Sequence, residues 1–192
     1  MSIRCFIAIE LDKTITPKLA ELQNRLRKKI KNDEKNLKWI RAEDIHLTLK
    51  FLGDVPDNLT GMICTAVSDA VTEYEPFEIE IGNCGCFPSR GSARVLWTGI
   101  TQGQIELQTI QETVDLYLQE LNFDPEQRKF HPHLTLARIK NFQTGRKAQE
   151  IIAREEPFTV GFQQVEKITV FQSELTRSGP IYTALGHSDL KQ

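Results

Sequence analysis

The chain has 192 residues, 40% of them hydrophobic and 26% charged, with a formal net charge of −2. That length suits one large domain or two small intimate lobes, and the balance is that of an ordinary globular protein. No apolar stretch reaches the roughly 18–20 residues that span a bilayer, no signal-peptide pattern opens the chain, and the charge gives no global nucleic-acid signature. Four cysteines without a secretory signal (Cys5, Cys64, Cys84, Cys86) are expected as reduced thiols in a cytoplasmic protein.

In chain order, residues 4–11 read as a buried strand and residues 16–31 as a helix whose Leu19, Leu22, Leu26 and Ile30 form one stripe. Trp39-Ile40 is a short strand and Glu43-Asp44 a turn. From His46 to Leu52 the pattern alternates, with His46, Thr48 and Lys50 on one face and Leu47, Leu49 and Phe51 on the other. Gly53 to Asp57 is expected to stop that strand and start a helix to about Thr72, with Asp57 as N-cap. Phe77 to Ile81 alternates as a strand with Glu78 and Glu80 outward. A turn at Phe87–Ser92 leads to a strand from Arg94 to Ile100. A helix near 103–121 follows, striped by Ile105, Ile110, Val114, Leu118 and Leu121. A loop at Asp124-Pro125 leads into a strand from His133 to Ile139. A helix near 145–153, strands near 158–164 and 166–172, a turn at Ser178-Gly179-Pro180 and a strand near 181–185 complete the chain. Strands grouped with a few helices and short joins indicate an α+β fold with antiparallel sheets.

The tetrapeptide His-Leu-Thr-Leu occurs twice, at His46–Leu49 and His133–Leu136, although the chain has only four histidines. On a strand each copy puts a histidine and a threonine on one face and two leucines in the core. Glu75-Pro76-Phe77 also recurs as Glu156-Pro157-Phe158, and an apolar strand precedes each histidine by about forty residues. The repetition indicates two half-repeats related by a pseudo-twofold axis within one domain spanning 1–192, with the two His-Thr faces opposed across a cleft.

Two imidazoles suit concerted acid–base chemistry, one taking a proton from an attacking water while the other protonates the leaving oxygen. A phosphodiester is a fitting target, since attack and departure occur on opposite sides of phosphorus, and the threonine hydroxyls can hydrogen-bond its non-bridging oxygens. Such chemistry needs no metal and no cofactor. The residues alone do not say which histidine is acid and which is base. Arg138 has the strand parity of Leu136, so a bulge would be needed to aim it at a phosphate. Phe51 and Phe130 flank the motifs and could stack on a base, but are expected in the core, as are Cys84 and Cys86, while His187 is expected exposed and without a role. Between Arg25 and Lys50 nine Lys/Arg stand against four acids, a stretch that could draw a phosphate chain toward the cleft but is read chiefly as a solvated helix face.

His46-Leu47-Thr48-Leu49-Lys50-Phe51-Leu52-Gly53 and Pro132-His133-Leu134-Thr135-Leu136-Ala137-Arg138 resemble the two signatures of the 2H phosphoesterase superfamily, and in particular the RNA 2′,3′-cyclic phosphodiesterases, also called 2′-5′ RNA ligases. The likeness extends to Arg4–Ile9, Trp39, Arg94–Gly99 and Gly179–Tyr182. It implies a bilobal fold with a central cleft. It also implies metal-free hydrolysis of a terminal 2′,3′-cyclic phosphate to a 2′-phosphomonoester, with ligation as a possible reverse reaction. On the same ground His46 is the proton donor to the 3′-oxygen, His133 the proton acceptor that activates water, and Thr48 and Thr135 the phosphate-binding threonines. RNA ends or nucleotides bearing a 2′,3′-cyclic phosphate are the expected partners of a monomer. Two other readings stand beside this one: a zinc hydrolase with His46, His131 and His133 as ligands, and a non-catalytic RNA-end or nucleotide-binding module.

Overall fold

A computed structural model describes residues 1–30, 34–177 and 179–191. Strands β1 (Ser2–Ile9), β2 (Leu37–Trp39), β3 (Leu47–Pro56), β4 (Phe77–Phe87), β5 (Val95–Gln102), β6 (His133–Ile139), β7 (Thr159–Val165), β8 (Lys167–Thr176) and β9 (Gly179–Asp189) make one nine-stranded antiparallel sheet. Helices α1 (Ile15–Ile30), α2 (Thr60–Val71), α3 (Gln104–Gln119) and α4 (Phe142–Ile152) cover it. The fold is α+β, as the pattern of apolar residues indicates. Lys31, and Ser178 of the expected turn, lie outside the described residues.

The sheet runs β7-β4-β5-β6-β3-β1-β8-β9, with β2 paired to β6. Counting outward from the β6/β3 junction, β5 answers β1, β4 answers β8 and β7 answers β9. Helices α1 and α4 lie against β7 and β4, whereas α2 and α3 pack together on the other arm, α2 against β8 and β9. Each arm therefore draws on both halves of the sequence. The Glu-Pro-Phe triplets head β4 and β7, which pair with each other in one arm and are not counterparts in this order.

The expected elements recur with shifts that have local causes. Strand β3 does not stop at Gly53 but passes through it at φ +73° and continues to Pro56. Asp57 sits in a 3-10 turn and does not cap α2; its carbonyl accepts the Thr60 hydroxyl instead. In α3 the buried stripe runs through Leu107, Ile110, Val114 and Leu118, while Ile105 in the first turn is exposed. Helix α4 starts at Phe142, where the Asn141 side chain accepts the Thr144 amide at 2.8 Å, an N-cap earlier than the apolar pattern suggested. Strand β9 reaches Asp189, so His187 belongs to the sheet and its Nδ1 lies 2.9 Å from the Thr169 hydroxyl.

The basic stretch is largely consumed by local contacts. Arg25 and Lys29 pair with Glu155, Arg27 lies 4.9 Å over the Trp39 ring, and Arg41 binds Asp44. Lys50 is the exception to the solvated-face reading. It is buried and forms an ion pair with Asp115 of α3, and its ammonium also donates to the Asp124 carbonyl at 2.8 Å. Asp115 in turn accepts the Glu126 amide at 3.1 Å, so this pair ties the loop ahead of β6 to β3. Removing one member strands a buried charge, at a cost of about 3–5 kcal/mol. Lys50→Met should lower the urea midpoint accordingly, and Lys50→Met/Asp115→Leu should recover most of the loss. A neutral Lys50→Met would show that the pair does not hold the loop.

Candidate active site

The two arms meet at one registered residue pair between β3 and β6, Leu47 opposite Leu134, both fully buried. In an antiparallel register that rung directs His46 toward Thr135 and Thr48 toward His133. Each motif's histidine therefore faces the other motif's threonine. All four line one cavity of about 360 Å³.

The fourth residue of each motif is a β-bulge. Along β3, Ala8 pairs with Thr48 and Ile7 with Lys50, leaving Leu49 as the extra residue. Along β6, Trp97 pairs with Thr135 and Leu96 with Ala137, leaving Leu136 as the extra residue. An extra residue reverses the alternation beyond it. In β3 this sends Lys50 into the core, against the expectation that it shares His46's face, and turns Phe51 outward, where it is 65% exposed on the cavity wall. Phe51 is thus not the core residue its parity suggested, whereas Phe130 does pack on the core. In β6 the same device buries Ala137 beside Leu136 and brings Arg138 into the cavity. This is the bulge that aiming Arg138 requires. Phe51 and Arg138 each stand five residues after their histidine, so one wall carries an aromatic ring where the other carries a guanidinium.

The Leu136 carbonyl faces the β2 side, where the β2–β6 register continues, and a buried carbonyl needs a donor. The Ile40 amide donates to it at 3.0 Å and Gln23 Nε2 at 3.1 Å, while Gln23 also donates to the Ile40 carbonyl at 2.7 Å. Gln23 is buried on α1 and braces the segment that aims Arg138.

Both histidines are held in the same way. His46 Nδ1 lies 2.9 Å from the Asp44 carbonyl and His133 Nδ1 2.7 Å from the His131 carbonyl, each two residues upstream. A carbonyl can only accept, so Nδ1 carries the proton and Nε2 is left to exchange one with whatever occupies the cavity. Burial holds both imidazoles below their usual pKa, opposed by the carbonyl bonds; His131 and Arg138 depress His133 further. The His46 ring packs on Phe6 and Tyr182 at centroid distances of 4.7 and 5.1 Å. On the other side Phe87 lies 4.9 Å from His133, and Trp97 lies over Gly85, where a Cβ would sit 2.1 Å from the indole ring. Tyr182 lines the cavity as well, with its phenol pushed further toward the neutral form by burial and by Asp44. Its strand was legible in the sequence, but not its aim at His46.

His131 is absent from the cavity lining and stands 6.4 Å, ring to ring, from His133, turned toward Phe87 and Trp97. Among the described residues no group of three or more His, Cys, Asp and Glu is placed to hold a metal ion. The ligand set of the zinc reading is thus not assembled. Burial pushes the Cys84 and Cys86 thiols up to about 12 and about 11, which keeps them protonated and poor as ligands or nucleophiles.

Two histidines and two threonines on one cavity suit acid–base work on an ester, and comparison with known proteins places the chain among phosphoesterases. The profile of the LigT like phosphoesterase family matches residues 9–97 and 100–182. The chain belongs to this family. It is 34% identical over 183 residues to a protein of Methanothermobacter thermautotrophicus named RNA 2′,3′-cyclic phosphodiesterase, covering 95% of this chain and 96% of that one. It is 36% identical over 161 residues to one of the same name from Aeropyrum pernix, covering 84% and 90%. The crystal structure of TT0787 of Thermus thermophilus superposes with a TM-score of 0.78 at 26% identity, over 98% of both chains. No helix among the described residues is long and apolar enough to cross a membrane.

Substituting Gln23 by Leu removes both donors and leaves buried carbonyls under-satisfied, a loss of about 1–3 kcal/mol in chemical denaturation. An unchanged midpoint would show that the bulge does not depend on Gln23.

Proposed function

We propose that the protein is an RNA 2′,3′-cyclic phosphodiesterase that opens a terminal 2′,3′-cyclic phosphate to a 2′-phosphomonoester. The observation that carries this reading is the pair of Nδ1-anchored imidazoles, each opposite the other motif's threonine, on one cavity. The names of relatives that match almost the whole chain support it.

In this reading the cyclic phosphate sits between the two motifs. His133 Nε2 takes a proton from water as its oxygen attacks phosphorus, and the P–O3′ bond breaks on the opposite side. Protonated His46 Nε2 supplies the proton that makes the departing oxygen a hydroxyl, so the product keeps phosphate on O2′. The division of roles follows the family resemblance, since the two geometries are alike. Thr48 and Thr135 hydrogen-bond the non-bridging oxygens, and Arg138 offsets the negative charge that builds on them. Joining of a 2′-phosphate end to a hydroxyl would be the same steps reversed. A location in the cytoplasm, a monomeric state and a single pseudo-twofold domain belong to the same proposal.

His46→Ala and His133→Ala should each lower turnover of a cyclic-phosphate oligonucleotide on the order of 10²–10⁴-fold. Undiminished hydrolysis in both would remove these residues from the site. The pH dependence is expected to be bell-shaped and displaced. The acid must be protonated, so activity falls as pH rises through its pKa; the base must be neutral, so activity falls as pH drops through its own. Both values are depressed in the free protein, so kcat/KM should peak on the acid side of the usual imidazole value near 6.5. A plateau extending well above neutral pH would contradict this account of the histidines.

A further inference from the structure

We propose that Phe51, Arg4 and Leu175 form a second nucleotide subsite, which takes the residue on the 5′ side of the cyclic-phosphate terminus; this rests on the reading above. The cavity that holds both motifs continues along the β3–β1–β8 arm, where it is lined by these three side chains and Ser173. Two of them are large apolar groups left open to solvent: Phe51 is 65% exposed and Leu175 74%. Phe51 is there because of the bulge at Leu49, with the buried Lys50–Asp115 pair on the opposite face. Its ring lies 6.1 Å from that of Phe6, its partner in the register. Arg4 is two residues before Phe6 on the same face of β1, about 7 Å further out, and forms no ion pair among the described residues, its cross-strand neighbour Asp54 included.

An open aromatic face followed by a free guanidinium matches a nucleotide: a base stacks on the ring and the linking phosphodiester meets the cation. A protein partner would not need a cation beside open apolar groups on the wall of a catalytic cavity. The other mouth of the cleft, beyond His46 and Tyr182, is a depression of about 330 Å³ bordered by Glu10, Glu43 and Asp44, with Arg41 already bound to Asp44. Glu43 there forms no ion pair among the described residues, and Glu10 is only loosely offset by Lys167 at 3.9 Å, so that mouth is less favourable to a phosphate chain than the wall carrying Phe51 and Arg4.

The test compares kcat/KM for 2′,3′-cyclic AMP with that for the dinucleotide ApA ending in a 2′,3′-cyclic phosphate. Base stacking of the usual strength gives the wild-type protein a dinucleotide preference of roughly 5- to 150-fold. Phe51→Ala and Arg4→Ala should each bring that ratio toward one, Phe51→Trp should retain it, and Lys38→Ala, at the opposite edge beside Arg138, should leave it at the wild-type value. Circular dichroism checks that each variant is folded. Wild-type hydrolysis of both substrates at equal kcat/KM would overturn the subsite and leave the activity standing. So would a preference that survives Phe51→Ala and Arg4→Ala, or one lost in Lys38→Ala. If the wild-type protein hydrolyses neither substrate, the activity itself is refuted and the subsite falls with it.

Discussion

One rung of backbone pairing, Leu47 against Leu134, holds the two arms of this sheet in register at its centre. Everything at the candidate site depends on it. The rung fixes which residues of the two motifs confront each other, and because pairing between β3 and β6 goes no further, the strands part on either side and leave space between them. Were the pairing to continue, the histidines and threonines would be buried in a closed sheet. Were the register to slip by one residue, each strand would present leucines to the cavity. The buried leucines of the motifs therefore set geometry as much as stability.

The second constraint is the bulge that follows each threonine. A regular strand would carry Lys50 along with His46 and would hide Arg138. Instead, an extra residue at Leu49 and at Leu136 reverses the alternation at matching places in both arms. The consequences differ because the sequences differ. On one arm the inward residue is a lysine, which is buried only with Asp115 and the Asp124 carbonyl as partners. On the other it is Ala137, and the Leu136 carbonyl beside it is met by Ile40 and Gln23. The outward residues, Phe51 and Arg138, give the two walls different chemistry. The same scaffold thus sets paired histidines at its centre and unlike side chains, an aromatic ring and a guanidinium, at its edges.

The sequence alone was enough to read the class of fold, the positions of nearly all strands and helices, and the sharing of one cavity by His46, Thr48, His133 and Thr135. Those readings rest on local periodicity, which is a property of the chain itself. Parity failed for Lys50 and Phe51, because a bulge is decided by the neighbouring strand and not by the residues that bulge. Tyr182 and Gln23 were missed for a related reason: one comes from the last strand and the other from the first helix, and only the folded sheet brings them to the motifs. The Glu-Pro-Phe recurrence points the other way, a repeat in sequence whose two strands sit side by side and do not answer one another in the sheet order. The zinc alternative drew on His131, which lies ahead of β6 and outside its alternation, and whose ring is turned into an aromatic cluster with Phe87 and Trp97.

The central claim is that two opposed histidines break one chosen bond of a cyclic phosphate. The most direct test is phosphorus NMR of the product formed from an oligonucleotide ending in 2′,3′-cyclic phosphate. The account expects a 2′-phosphomonoester alone, with formation abolished by His46→Ala and by His133→Ala. A 3′-phosphate product, a mixture of the two, or turnover that survives loss of both histidines would contradict it.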